Sequence, residues 1–145
     1  MRIEVTLTGT EAIHEQFARL NRAAQFKAMA KTSQELYDYV ELAADKHTKT
    51  GALFQSVFQK REGETFLIGN DLQRAPHAAF VHWGTRPHDI RPKRKKVLRW
   101  ASGNYFVFAK VVKHPGYKGD PWLKRAAAMA PAIFERHVIA TLKGK

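Results

Sequence analysis

Four histidines, His77, His82, His88 and His114, bracket the densest run of cations in this chain. Imidazoles do two kinds of chemistry: they ligate metals, and they carry protons near neutral pH. The spacings here are five, six and twenty-six residues, and Asp89 is the one acid close by. A histidine zinc site usually adds a carboxylate or an i,i+4 pair on one helix. A dense positive field also opposes a dication, so no metal site and no cofactor are expected. Proton transfer asks for less. A small metal-free ribonuclease of the toxin type needs only a basic cleft with His, Arg, Lys or Tyr. That alternative stays open, with His82 or His88 as proton carrier. Nucleophilic catalysis has no support, because the chain holds no cysteine, no Gly-x-Ser-x-Gly elbow and no phosphate-cradling glycine loop. The acids sit mostly on the second helix and a hairpin, where they suit a solvated face rather than a metal-dependent nuclease site. No enzymatic activity is therefore the main expectation.

The cations form the sharper signal. Six of the nine residues in RPKRKKVLR, 91–99, are Lys or Arg. Pro87 and Pro92 favour an extended backbone just before each of them, which predicts a projecting basic arm over about 85–97. Arg86, Arg91, Lys93, Arg94, Lys95, Lys96 and Arg99 are the candidate contacts to a partner or to DNA. Val97, Leu98 and Trp100 are expected to pin the far end of the arm to the core. Phe80 and Trp83 are expected as core anchors, with an interface role for Trp83 as the alternative, and Gly84 permits a tight turn. Such an arm follows a phosphate backbone through charge, or it docks on an acidic partner. No recognition helix and no aromatic stacking motif on a sheet is visible, so DNA contact without sequence preference is the expectation. A plain DNA-binding accessory protein is a third reading.

The chain has 145 residues and a formal net charge of +12, which suits one domain over 1–145. Residues 1–83 hold ten Lys and Arg against ten Asp and Glu; residues 84–118 hold ten against one; residues 119–145 hold five against two. The positive charge is therefore local, and local excess attracts phosphate polymers or acidic surfaces. The absence of cysteine fits a reducing compartment. MRIEVTLTG lacks a signal-peptide apolar segment, and AAAMAPAIF is far short of the roughly 20 residues a membrane span needs. A soluble, intracellular product with no membrane partner is expected.

Periodicity places these residues on elements. MRIEVTLTG alternates as a half-buried strand. Thr10 is expected to cap a helix carrying Ile13, Phe17, Leu20 and Ala24, with a bend near Asn21–Gln25. A second helix is expected from about Phe26 to His47 on the stripe Met29, Ser33, Leu36, Val40 and Ala44, stopped by Gly51. LFQSVFQK and ETFLIGN read as a hairpin turning at Gly63. HAAFVHWG reads equally as a helical turn or a short strand. NYFVFAKVV reads as a strand too apolar for a sheet edge. Asp120 is expected to cap a C-terminal helix starting at Pro121, with Pro131 kinking or splitting it and residues 142–145 frayed. The order predicts an α+β fold: a small, mainly antiparallel sheet packed by a long N-terminal helical region and a C-terminal helix, with a projecting basic loop.

Several short motifs, in order, resemble the head–tail joining or tail-completion family of long-tailed bacteriophages, often described as minor tail or neck proteins. They are Thr50, Gly51 and Leu53; Phe80, Val81, Gly84 and Thr85; Ile90, Pro92 and Lys93; and His114, Pro115 and Gly116. The match spans roughly residues 10–140. Many relatives carry a proline before the threonine-glycine pair where this chain reads HTKTG, and Pro131 has no counterpart in the pattern. The resemblance implies a non-enzymatic virion component made in the host cytoplasm. It would assemble with itself as a ring, commonly sixfold, between the capsid connector and the tail tube. Gly51, Trp83, Gly84, Thr85, Pro92, Pro115 and Gly116 would be its structural positions.

Overall fold

The computed structural model describes residues 11–18 and 20–144, with the backbone alone at 12, 13 and 16. The expected strand over 1–9, the Thr10 cap and the Ile13 side chain lie outside the described residues. A first helix, α1, spans Glu11–Ala18, and α2 spans Arg22–Asp45. The bend between them is set by Asn21, whose Oδ1 accepts the Ala24 N–H at 2.9 Å and so starts α2 four residues earlier than the hydrophobic stripe suggests. Of the stripe, Ser33, Leu36, Val40 and Ala44 are buried and Met29 is half-buried.

Gly51 does not stop α2, which ends at Asp45. Its left-handed backbone (φ +79°) instead opens a one-turn helix, α3, Ala52–Gln55. LFQSVFQK is therefore not one strand: α3 buries Leu53, and β1, Val57–Glu62, follows. Ser56 enforces the switch, donating its hydroxyl to the Leu53 carbonyl at 2.7 Å. β1 pairs antiparallel with β2, Thr65–Asn70, from Val57↔Asn70 to Glu62↔Thr65. Gly63 leads that two-residue turn at φ +62°, the geometry that matches strand twist.

The core lies where α2, α3 and β1 meet the C-terminal helix α5, Trp122–Lys143. Alanines at 43, 44, 126 and 130 let the two long helices approach closely, and Leu36, Val40, Leu53, Trp122, Leu123 and Ile133 fill the space between. Each fully buried aliphatic side chain here contributes about 1.5–3 kcal/mol. A satellite cluster of Leu20, Ala28 and Val138 includes Phe17 edge-on to Phe134 at 5.2 Å.

Three expectations about α5 are corrected. Pro131 neither splits nor ends the helix; Ala130 and Ile133, on either side of it, are both buried in the core, and that packing carries the helix through the missing donor. Asp120 does not cap it, because its carboxylate is taken by other residues. The tail is less frayed than expected, since the helix runs to Lys143 and Leu142 packs against the satellite cluster.

HAAFVHWG is the helix α4, Ala78–Trp83. After it, residues 85–117 form one doubled-back ribbon. Thr85 bridges Tyr117, then β3, His88–Ile90, pairs with β6, Val112–His114. Further out, β4, Leu98–Ser102, pairs with β5, Tyr105–Ala109, around Gly103. The fold is α+β, and among the described residues all the pairing is antiparallel, in three two-stranded sheets rather than one. Among the described residues no helix is long and apolar enough to cross a membrane.

Candidate functional site

The ribbon grows from a tightly built root. Gly84 and Gly119 have left-handed backbones (φ +83° and +78°), and the two segments cross so closely that a side chain at either position would run into backbone atoms of the other. Gly116 is packed the same way: a Cβ there would stand 2.6 Å from the Thr85 carbonyl oxygen. Thr85 and Tyr117 exchange backbone hydrogen bonds of 2.7 and 2.9 Å, and the Asp120 N–H donates to Val81 O at 2.9 Å. Trp83 is the last residue of α4, and it is not a core anchor. Phe80 is 61 % exposed and Trp83 56 %, because α4 turns Ala78 and His82 inward instead.

His82 is fully buried. Its ring stands edge-on to Trp122 at 4.8 Å and Trp83 at 4.3 Å. Its Nε2 accepts the Leu123 N–H at 3.1 Å in the first turn of α5. Burial disfavours the charged ring and pushes its pKa down to about 4. A fully buried ring committed to a helix end is not open to a substrate, so of the two candidate proton carriers the geometry favours His88. Beside it, the Asp120 carboxylate accepts from Arg125 and meets His47 Nε2 at 2.7 Å, while Arg125 Nε donates to Tyr39 Oη at 2.9 Å. Arg125 first, and His47 after it, hold Asp120 at a pKa of about 2. Trp122 completes the root by donating Nε1–H to Asn70 Oδ1 at 3.1 Å, and Asn70 Nδ2 donates to Ser56 Oγ at 2.9 Å. No spacing in the sequence points to the His47–Asp120 pair, whose members lie 73 residues apart.

The other histidines do not converge on one point. His88 and His114 are direct cross-strand partners and stack with ring centroids 4.9 Å apart. His88 Nδ1 contacts Arg86 O at 2.8 Å, and His114 Nδ1 accepts the Gly116 N–H at 3.1 Å. His77 is exposed at the start of α4. Among the described residues no group of three or more His, Asp or Glu is placed to hold a metal ion. Of the proposed proton carriers only His88 is exposed.

The cations occupy a single structural feature. Between the two paired stretches, seven residues, 91–97, face only two, 110–111, so RPKRKKV is a wide bulge on the side of the ribbon. The expected arm over 85–97 is therefore half of a longer lever, from Gly84 to Gly119, which coincides with the segment of ten cations and one acid. Arg86, Arg91, Lys93, Arg94, Lys95 and Lys96 are all exposed, while Pro92 is half-buried and Pro115 exposed. Arg91 reaches Asp89 at 3.4 Å, and among the described residues no carboxylate pairs with Lys93, Arg94, Lys95 or Lys96.

Val97, Leu98 and Trp100 do not pin this segment to the core. Trp100 is 41 % exposed, and β4 packs mainly on β5. NYFVFAKVV is likewise uncovered, and it is not one strand: it holds β5 and the first residue of β6. Arg99, Ala101, Phe106 and Phe108 share one ribbon face, all exposed, with the Arg99 guanidinium 3.7 Å over the Phe106 ring. Trp100 and Tyr105 lie on the other face. The aromatic residues read as interior are thus presented to solvent beside the cations.

An apolar groove of about 460 Å³ lies away from the ribbon, lined in part by Met29, Leu36, Phe66, Ile68 and Phe134, with His14, Ser33 and Glu64 among its polar residues. No protein-family model, no curated protein and no solved structure matches this chain.

Proposed function

We propose that this chain is a non-enzymatic structural protein of the tailed-phage neck, a ring-forming head–tail joining or tail-completion subunit that works in the virion. The observation that carries the reading is the rooted cationic ribbon. A lever held by three crossing glycines and a buried histidine loses little conformational freedom when it docks, so its contacts are available for binding. A ring subunit needs one surface that reaches a neighbour and a different surface that receives it, and a ribbon presented by a helical body is such a reaching surface. The motif order running from Thr50-Gly51 to Pro115-Gly116 supports the same reading. Its partners would be further copies of itself, in a ring commonly sixfold, and the neighbouring connector and tail proteins.

The test is the solution size of the purified chain, followed by electron microscopy of any rings. The variant R91E/K93E/R94E/K95E is expected to keep the wild-type melting curve while losing assembly. Normal assembly by a folded quadruple variant refutes the proposal. A purified chain that cleaves RNA without metal, and stops when His88 is replaced by Ala, favours the ribonuclease instead.

A further inference from the structure

We infer that the ribbon between Gly84 and Gly119 is a duplex-DNA-binding element that lies along a groove of the duplex and grips its phosphates without reading bases. This names a partner that the neck reading leaves open. It stands on the chemistry of the ribbon rather than on ring formation, so each can fail alone.

Charge selects the class of partner. The ribbon carries ten Lys and Arg against Asp89, and Arg91 already meets that one acid. The rest of the chain is nearly balanced, so a second copy of this protein offers the ribbon little opposite charge. The cations also run along the ribbon rather than gathering in one spot. Arg86 lies on the outgoing side, the bulge adds Arg91, Lys93, Arg94, Lys95 and Lys96, Arg99 follows on β4, and Lys110, Lys113 and Lys118 lie on the return. In register the cations run from Lys118 and Arg86 at the root to Arg99 opposite Phe108, and at roughly 3.3 Å per residue the return side over 108–118 spans at most about 35 Å. A line of positive charge that long matches a polymer bearing about one negative charge per 1.7 Å of axis better than it matches a compact acidic patch.

Shape selects the duplex. Single-strand binders wrap the strand in a positively charged channel. The outer ribbon instead presents exposed side chains on both faces, Phe106 and Phe108 on one and Trp100 and Tyr105 on the other. It is a convex, two-stranded rod, and a two-stranded ribbon is what a major groove about 12 Å wide admits. The exposed face of Phe106 and Phe108 then rests on sugars and base edges while the bulge reaches the phosphates.

The same residues argue against base reading. The segment contains no Gln and only Asn104, at the turn, so the amide side chains that recognise adenine are absent from both faces. Arg99, the cation on the aromatic face, is stacked on Phe106.

Fluorescence anisotropy of the full-length chain with a labelled 30-base-pair duplex tests this. The expected Kd rises about 10³-fold or more between 50 and 200 mM salt, and it changes less than about threefold among unrelated sequences, because phosphate contacts carry no sequence information. Two variants of equal net charge isolate the ribbon. K93E/R94E/K95E/K96E is expected to weaken binding at least about 100-fold and to flatten the salt dependence, because it removes and reverses phosphate contacts. K27E/K31E/K49E/K124E, on exposed body positions, is expected to change it by less than about fivefold, because these charges stand off the DNA and are screened. Melting curves confirm that both variants are folded. Equal losses in the two variants overturn the inference in favour of diffuse charge attraction. Tighter binding to a single strand of equal length overturns the groove geometry, and no binding at 50 mM salt overturns it outright. If rings form without DNA affinity, the inference fails and the neck reading stands.

Discussion

His82 Nε2 accepts the backbone N–H of Leu123 at 3.1 Å, so the first turn of α5 is capped by a side chain 41 residues earlier in the chain. The first N–H groups of a helix have no partner within it, and the N-terminal position here is Pro121, which has no N–H to offer and no side-chain cap. A ring acceptor from α4 fills the gap. Because α4 also leads into Gly84, the same bond fixes the base of the ribbon to the core.

That bond requires a neutral ring, which gives a pH dependence. The pKa of His82 is about 4 in the folded chain against 6.5 for the free side chain, so between these values the unfolded state binds the proton that the folded state refuses. Its contribution to stability is complete above about pH 6.5 and falls away as pH drops toward 4, by at most about 3 kcal/mol. Urea unfolding at pH 7 and pH 4.5 measures the loss. His82→Leu should lower stability at pH 7 by about 1–3 kcal/mol, because it strands the Leu123 donor, and should remove much of the slope between the two pH values.

Asp120 acts in a lower window. Arg125 and His47 hold its pKa at about 2 against 3.8, so its contribution is present above about pH 4 and is lost as pH falls toward 2. Arg125 is 45 % exposed, and water screens the pair, so Asp120→Asn should cost only about 1 kcal/mol at pH 7. The difference between the two proteins should vanish in melts near pH 2.

The elements were legible where one residue type settles the backbone or one periodic face meets the core. The stripe Ser33, Leu36, Val40 and Ala44 located α2, and Gly63 located the β1–β2 hairpin. The cation count of 84–118 marked the lever before its shape was known. What failed was burial. Phe106, Phe108 and Trp100 have the composition of an interior strand, but composition does not say whether a third strand or a helix arrives to cover it, and among the described residues none does. Phe80 and Trp83 failed for a related reason: on a helix of six residues the buried face is set by a few contacts, and His82 holds it through Leu123 and Trp122. The His47–Asp120–Arg125 cluster joins α5 to residues far away in sequence, which local pattern cannot express. Asp120 looked like a helix cap for the same reason.

The glycines at the ribbon root should be the least replaceable in the chain. Gly84→Ala or Gly119→Ala combines a positive φ with a clash against backbone atoms that cannot rotate away, and should cost about 2–4 kcal/mol in urea unfolding. Gly63→Ala and Gly103→Ala share the positive φ, but nothing lies within 4 Å of the added methyl, so about 1–2 kcal/mol is expected. Equal losses at all four sites would mean that backbone conformation alone matters and that the crossing contributes nothing.

Large aromatic residues in this chain should divide sharply by what covers them. Trp122 is fully buried, with its ring against His47 and His82, and donates to Asn70, so Trp122→Ala should cost about 3–5 kcal/mol. Phe106 and Phe108 are 53 % and 61 % exposed on the ribbon face. Replacing both with Thr keeps a strand-favouring residue and should change global stability by no more than about 0.5 kcal/mol. The Arg99–Phe106 stack is the only ring contact of that face within the described residues, and at an exposed site it contributes about 0.5–1 kcal/mol to the ribbon locally. Thermal melts of the two variants side by side make the comparison. A Phe106→Thr/Phe108→Thr protein that melts as early as Trp122→Ala would place these rings in the core of the molecule and leave the ribbon no free face with which to bind a partner.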